Sequence, residues 1–257
     1  MASSTLVKDL LHRVSVQLHD TDPQFQRWTQ RELVDALNDA QRAIAKFLPS
    51  SCARVVSVRL APGTRQNLAL IPAARLLVDG VAPAGDIHAD AIQSVVRNMG
   101  ADGVTPGRAI RLVDRSTLDA MQPDWHTRSA AVVQGWVFDP KTPRECYVTP
   151  GAPAAPASWV EMSLLVQPAE ITSSGDLTVG GGSQVVISVD DKHVDDLMFY
   201  ILSRANEKDS EFAESSQAQS YAAMFASSIN AQAAALTGVN PNLRGLPNAP
   251  ATPRPGA

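Results

Sequence analysis

The sequence predicts an α+β protein. An antiparallel helical bundle, made of two N-terminal helices plus one long C-terminal helix, carries a β-rich insertion and an extended C-terminal tail. Three observations predict it. Apolar residues recur at three- and four-residue spacing as far as Leu48, alternate over much of 54–189, and return to helical spacing from Val194. The stretch Asp190 to Leu236 reads as one long amphipathic helix. The last twenty residues, Gly238 to Ala257, hold five prolines and three glycines and cannot form a helix or a central strand. The expected division is a helical core over 1–50 and 190–237, a β-rich insertion domain over 51–189, and a Pro-rich tail over 238–257.

The first helix runs to about Leu18, capped by Ser4 or Thr5, with Val7, Leu10, Leu11, Val14 and Leu18 on its apolar face. His19-Asp-Thr-Asp-Pro23 breaks it. The second helix opens with a T-x-x-E capping box, Thr29 and Glu32, and Trp28 can staple onto Leu33. Its buried side is Leu33, Leu37, Ala40, Ile44, Phe47 and Leu48, and Pro49 ends it. A short connection between two helices favours an antiparallel pair.

From Arg54 the period is two. Val56, Val58 and Leu60 alternate with Val55, Ser57 and Arg59, Pro62-Gly63 turns, and Leu68 and Leu70 resume, which predicts a hairpin. Ile92 to Asn98 and Arg108 to Val113 read as strands flanking Gly100-Ala-Asp-Gly103. Ser116 to Met121 is a helical turn. Val132 to Phe138 and Glu145 to Thr149 form a second hairpin around Asp139-Pro-Lys-Thr-Pro143. Trp159 to Val166 is a further strand, Gly180-Gly-Gly182 a flexible loop, and Val185 to Val189 leads into the long helix. Six or seven strands are expected.

In the long helix, Asp190 or Asp191 can cap the start, and Asp195 and Asp196 suit the positive end of the dipole. Val194, Leu197, Met198, Ile201, Leu202 and Ala205 form the stripe, continued by Phe212, Tyr221, Ala222, Phe225 and Ile229. Gly238 and Pro241 stop it. Unbroken, it spans about 70 Å, which exceeds one small domain. A bend belongs in the polar stretch Asn206 to Gln217.

Composition excludes several classes. With 44% hydrophobic and 19% charged residues the chain has a globular composition. No apolar run is long enough to span a membrane, and the N-terminus is amphipathic, unlike a signal peptide. Cys52 and Cys146 give neither metal spacing nor a disulfide framework, so buried thiols are expected. The net charge is −4, and its excess acidity lies in residues 190–216, with eight acids against three bases. That is no footprint for gripping nucleic acid.

No G-x-S-x-G, H-E-x-x-H, C-x-x-C or P-loop occurs. Gly180-Gly-Gly182 lacks a following G-K-[ST] and reads as a turn. Asp190-Asp-Lys-His193 with Asp195 has hard-metal ligands, but an acidic helix start explains it as well. Asp124-Trp-His126 has no nucleophile nearby and reads as a loop anchored by Trp125. Arg204, Glu207, Lys208 and Glu211 are spaced for ion pairs on a solvated helix face. No catalytic residue, cofactor or metal site is expected.

Three stretches carry a resemblance. They are Trp28-Thr-Gln-Arg-Glu-Leu33 with Leu37-Asn-Asp-Ala-Gln-Arg42; Arg97-Asn-Met-Gly-Ala-Asp-Gly103 with Pro106-Gly-Arg-Ala-Ile-Arg111 and Pro123-Asp-Trp-His126; and Ile201-Leu-Ser-Arg-Ala205 with Lys208-Asp-Ser-Glu211. Together they resemble the head-to-tail adaptor (connector) proteins of short-tailed bacteriophages, over roughly residues 5–230. The resemblance implies a structural virion protein, made in the host cytoplasm and placed at the head–tail junction. It implies a ring of identical copies, usually twelve, between the portal protein and a tail nozzle or tube protein. DNA would pass through without tight binding, and no membrane is involved. The other readings of the chain are a different tail or nozzle subunit, a phage-encoded hydrolase and a small-molecule-binding domain.

Two sets of residues are assigned on this basis. The acidic patch Asp190, Asp191, Asp195, Asp196, Glu207, Asp209 and Glu211 is a candidate channel lining, since basic walls would retain a polyanion. The tail, through Val239, Pro241, Leu243, Arg244, Leu246 and Pro247, is expected to dock as an extended segment on another chain, with the portal preferred over a neighbouring copy.

Overall fold

The chain divides into two units, one formed by Met1–Leu48 with Ala169–Ala257, the other by Pro49–Pro168. In this computed structural model the described residues are 4–20, 27–172, 177, 182–208 and 215–239, the side chains of 236–239 excepted. In chain order the elements are α1 (Val7–Gln17), α2 (Gln30–Phe47), β1 (Ala53–Arg59), β2 (Gly63–Asn67), β3 (Leu70–Ile71), β4 (Leu76–Leu77), β5 (Ile87–Met99), β6 (Pro106–Ala109) and β7 (Arg111–Leu112). Then come α3 (Arg115–Met121), β8 (Gly135–Phe138), β9 (Glu145–Ala152), β10 (Trp159–Val166), α4 (Val194–Asn206) and α5 (Ser215–Val239).

The expectation of a helical bundle organised on one long C-terminal helix is overturned. The fold is α+β but strand-rich, with five helices and ten strands among the described residues. The single helix of 190–237 is two helices: α4 ends at Asn206 and α5 starts at Ser215. The physical reason lies in the polar stretch between them. It offers almost no apolar residue to bury, and burial rather than propensity holds most protein helices together. Gly238 does not stop α5, which runs on to Val239.

In the helical unit α4 packs against α5, α2 and α1. Its Leu197, Met198, Ile201 and Leu202 are buried, as are Leu10, Leu11 and Val14 of α1 and Leu33, Leu37 and Ile44 of α2. The capping box forms as the sequence predicts: Glu32 N donates to Thr29 Oγ1 (3.3 Å) and Thr29 N to Glu32 Oε2 (3.0 Å). Trp28 is buried and its indole N–H donates to Ala205 O at 3.1 Å. The start of α1 departs from expectation, because neither Ser4 nor Thr5 caps it. Leu6 is the N-cap, and the backbone there bridges to Val186 instead.

The β unit holds two sheets. One has the order β3-β5-β10-β1-β4, with β6 also on β5; the other has the order β2-β9-β8-β7. Pairing is antiparallel except between β7 and β8. Val56 faces Met162 and Val58 faces Val160 in the β1–β10 register, so the period-two pattern lands on one buried face. These side chains share one barrel-like core with Trp136, Cys146, Val148 and Ala152 of the other sheet.

The hairpin expected across Pro62-Gly63 does not form. β1 pairs with β10 and β4, whereas β2 crosses to β9. Gln66 makes this corner. Fully buried, it accepts from Ala61 N (2.8 Å) and donates to the carbonyls of Ala61 (2.7 Å) and Gly63 (3.2 Å). The expected second hairpin is present as β8 and β9. Both cysteines are buried and not joined in a disulfide, and burial pushes Cys146 up to about 12.

Candidate functional site

The acids assigned to the patch from Asp190 are not a uniform strip. Asp191 holds the N-terminal segment. Its carboxylate accepts from Ser4 N (3.0 Å), the Ser4 hydroxyl (2.8 Å) and Thr5 N (3.1 Å). Neither it nor Asp190 caps a helix with its side chain; a short 3-10 turn, Asp191–His193, leads into α4. Asp190 lies 3.6 Å from Lys192, Asp195 pairs with Arg13 at 3.4 Å, and Glu207 pairs with Arg204 at 2.9 Å. Asp195 and Glu207 are exposed. Asp209 and Glu211 lie outside the described residues.

Asp196 is different, because it is buried. Its carboxylate meets His193 Nδ1 at 2.9 Å and accepts from Gln232 Nε2 at 2.9 Å, which ties α4 to α5. Burial pushes its pKa up, but hydrogen bonds from His193, Ser228 and Gln232 outweigh that and hold it below the usual carboxylate value. Among the described residues no group of three or more His, Cys, Asp or Glu side chains is placed to hold a metal ion.

Asp124-Trp-His126 is a structural loop, as the sequence predicts. Trp125 is fully buried, stacks on His126 at 3.5 Å, and donates its indole N–H to Asp119 at 2.8 Å. Of the tail residues, Val239 is the last residue of α5. Pro241, Leu243, Arg244, Leu246 and Pro247 lie outside the described residues.

The β unit has a feature the sequence reading missed. A cleft of about 270 Å³ is lined by β6, β7, α3 and β8, with Arg108, Arg111, Leu118, Met121, Gln122 and Gln134 on its walls. The segment 106–113 builds it by leaving one sheet and entering the other. Ile110 N donates to Val96 O (3.0 Å) and Val113 N to Trp136 O (2.8 Å). Asn98, itself buried, fixes the crossing. Its amide nitrogen donates to Arg108 O (2.9 Å) and Val133 O (2.7 Å), and its oxygen accepts from Val133 N (2.8 Å). Gly135 permits the close approach of β7 to β8, since a Cβ there would lie 2.7 Å from a Val113 methyl.

Arg108 and Arg111 are exposed and pair with no carboxylate among the described residues. The acids nearby in sequence are already engaged. Asp114 caps α3 through Thr117 N (3.2 Å) and takes the Ser116 hydroxyl. Asp119 holds Trp125 and lies 3.6 Å from Arg115, and Asp124 pairs with Arg128 at 3.3 Å. A strand crossing between sheets gives no periodic signal, so only the residue types Arg-x-x-Arg were visible beforehand.

Among the described residues no helix is long and apolar enough to cross a membrane. No curated protein matches the chain. A family model described as SU10 adaptor protein matches residues 5–245. The chain belongs to this family, a family of phage structural adaptors, and the resemblance read from the sequence holds.

Proposed function

We propose that the chain forms a closed ring, usually of twelve copies, between the portal and the tail nozzle or tube of a short-tailed phage, and that the genome passes through it. The observation that carries this reading is the family match over residues 5–245, which takes in both units of the chain. A ring subunit needs faces that pack on identical neighbours rather than an active site, and closed symmetry fixes how those faces meet. We accordingly read the protein as a non-enzyme at the head–tail junction. The helical unit of Met1–Leu48 with Ala169–Ala257 and the β-rich unit of Pro49–Pro168 are its proposed working parts.

Two finer assignments belong to the same reading. The acids Asp190, Asp191, Asp195 and Glu207, with Asp209 and Glu211, keep a lumen-facing surface from retaining DNA. Asp196 contributes no surface charge, being buried. The tail from Val239 through Pro241, Leu243, Arg244, Leu246 and Pro247 docks on the portal protein.

Cryo-microscopy of purified particles tests the reading. The expected image is a closed ring of this chain at the portal–tail junction. A monomer isolated on the capsid surface overturns it.

A further inference from the structure

We propose that the cleft over β6, β7 and α3 is a docking site for an acidic peptide segment of another virion protein, a segment that sets a carboxylate beside an apolar side chain. That the partner is a virion protein rests on the function proposed above; the chemistry of the cleft does not.

Charge is the first argument. Arg108 and Arg111 both line the cleft, both are exposed, and neither has a carboxylate partner among the described residues. The acids that could neutralise them from nearby are committed elsewhere: Asp114 to the α3 cap, Asp119 to Trp125 and Arg115, Asp124 to Arg128. Asp102, within the β5–β6 loop, accepts from Val104 N (3.0 Å), Thr105 N (3.0 Å) and the Thr105 hydroxyl (2.7 Å), which holds it at about 2. The carboxylate that completes two forked guanidinium groups therefore comes from outside the unit. Arginine suits that task, because its planar fork matches a carboxylate in two parallel hydrogen bonds.

The apolar wall is the second argument. Met121 is 77% exposed and stands on the cleft beside Leu118 and Val113. Methionine is an adaptable packing surface for a partner's apolar side chain. Gln122 and Gln134 add amide groups suited to a peptide backbone. A nucleic-acid backbone is the weaker match. It calls for a line of cations, whereas two arginines here share the cleft with apolar groups and stand in a chain of net charge −4.

The test uses assembled particles. A photoreactive benzophenone side chain replaces Met121, the particles are irradiated, and the cross-linked peptide is sequenced. The expected product is one segment of another virion protein that carries Asp or Glu next to an apolar residue. Arg108→Gln with Arg111→Gln leaves the thermal midpoint unchanged and lowers the cross-link yield about tenfold. The same segment, synthesised with a fluorescent label, binds the purified full chain and binds the double variant about tenfold less tightly. The proposal is overturned by a cross-link to DNA, to a second copy of this chain or to a segment without acids. Equal binding by the double variant, or no cross-link in particles that contain the chain, overturns it too. Particles that lack the chain altogether overturn the proposed function, and this inference with it.

Discussion

At the scale of single residues, a few polar side chains hold backbone that no regular element satisfies. Asn98 is the clearest, because three main-chain groups, one at Arg108 in β6 and two at Val133 just before β8, depend on its amide. Asn98→Ala leaves the amide and carbonyl of Val133 without their partner and is expected to cost about 3 kcal/mol, read from urea unfolding. An unchanged midpoint would show that water replaces the amide. Gly103 is constrained in another way. Its φ of +72° is left-handed, and a Cβ there would lie 2.7 Å from Leu77 and 2.8 Å from Trp159. Gly103→Ala should therefore destabilise by more than the ~1 kcal/mol typical of a glycine exchange. Asp196 predicts a pH dependence. Its folded pKa is depressed, so its contribution is complete above the unfolded value of about 3.9 and is lost as pH falls through the folded one. The stability gap between wild type and Asp196→Asn should narrow below about pH 4. A gap that stays constant from pH 7 to pH 3 would contradict the assignment.

At the scale of elements, burial separates what holds from what drifts. Ile201 lies fully buried in α4, the helix packed against α1, α2 and α5. Ile201→Ala should cost about 2–5 kcal/mol, whereas exposed Met224 of α5 should tolerate alanine with little change in denaturation midpoint. The same contrast explains what was legible in the sequence. The capping box at Thr29, the stripe of α2, the β8–β9 hairpin and strand β10 each carry a local pattern of caps, turns or period. The pairing of β1 carries none, because its partner β10 lies about a hundred residues on. Strands β3, β4 and β7, of two residues each, are too short to show alternation. The break between α4 and α5 was readable as a bend but not as two helices. At the candidate site the arginines could be read, but not the crossing that sets them in one cleft, since that depends on Asn98 and Gly135 meeting distant strands.

At the scale of the whole molecule, charge and multiplicity decide behaviour. With acids outnumbering bases by four, the chain should show no salt-sensitive, submicromolar affinity for duplex DNA, and a filter-binding titration checks this. The tail makes the stronger prediction. Residues 240–257 hold five prolines and, in Leu243 and Leu246, their only large apolar side chains. Each leucine contributes about 1.5–3 kcal/mol if fully buried in a partner pocket. Arg244 adds little if its pair stays exposed. Prolines restrict the free segment, so docking loses less entropy than a Gly/Ser segment would. One such tail is a weak anchor. The proposed ring would present many at once, and each bound tail would raise the effective concentration of the others, turning weak contacts into durable attachment. On the proposed docking, deleting 240–257 removes every anchor together. The truncated chain should fold with an unchanged thermal midpoint but fail to assemble on portal-bearing heads. Replacing only Leu243 and Leu246 by Ser should weaken assembly in the same direction. Rings forming on those heads at the wild-type level after the deletion would show that attachment lies elsewhere.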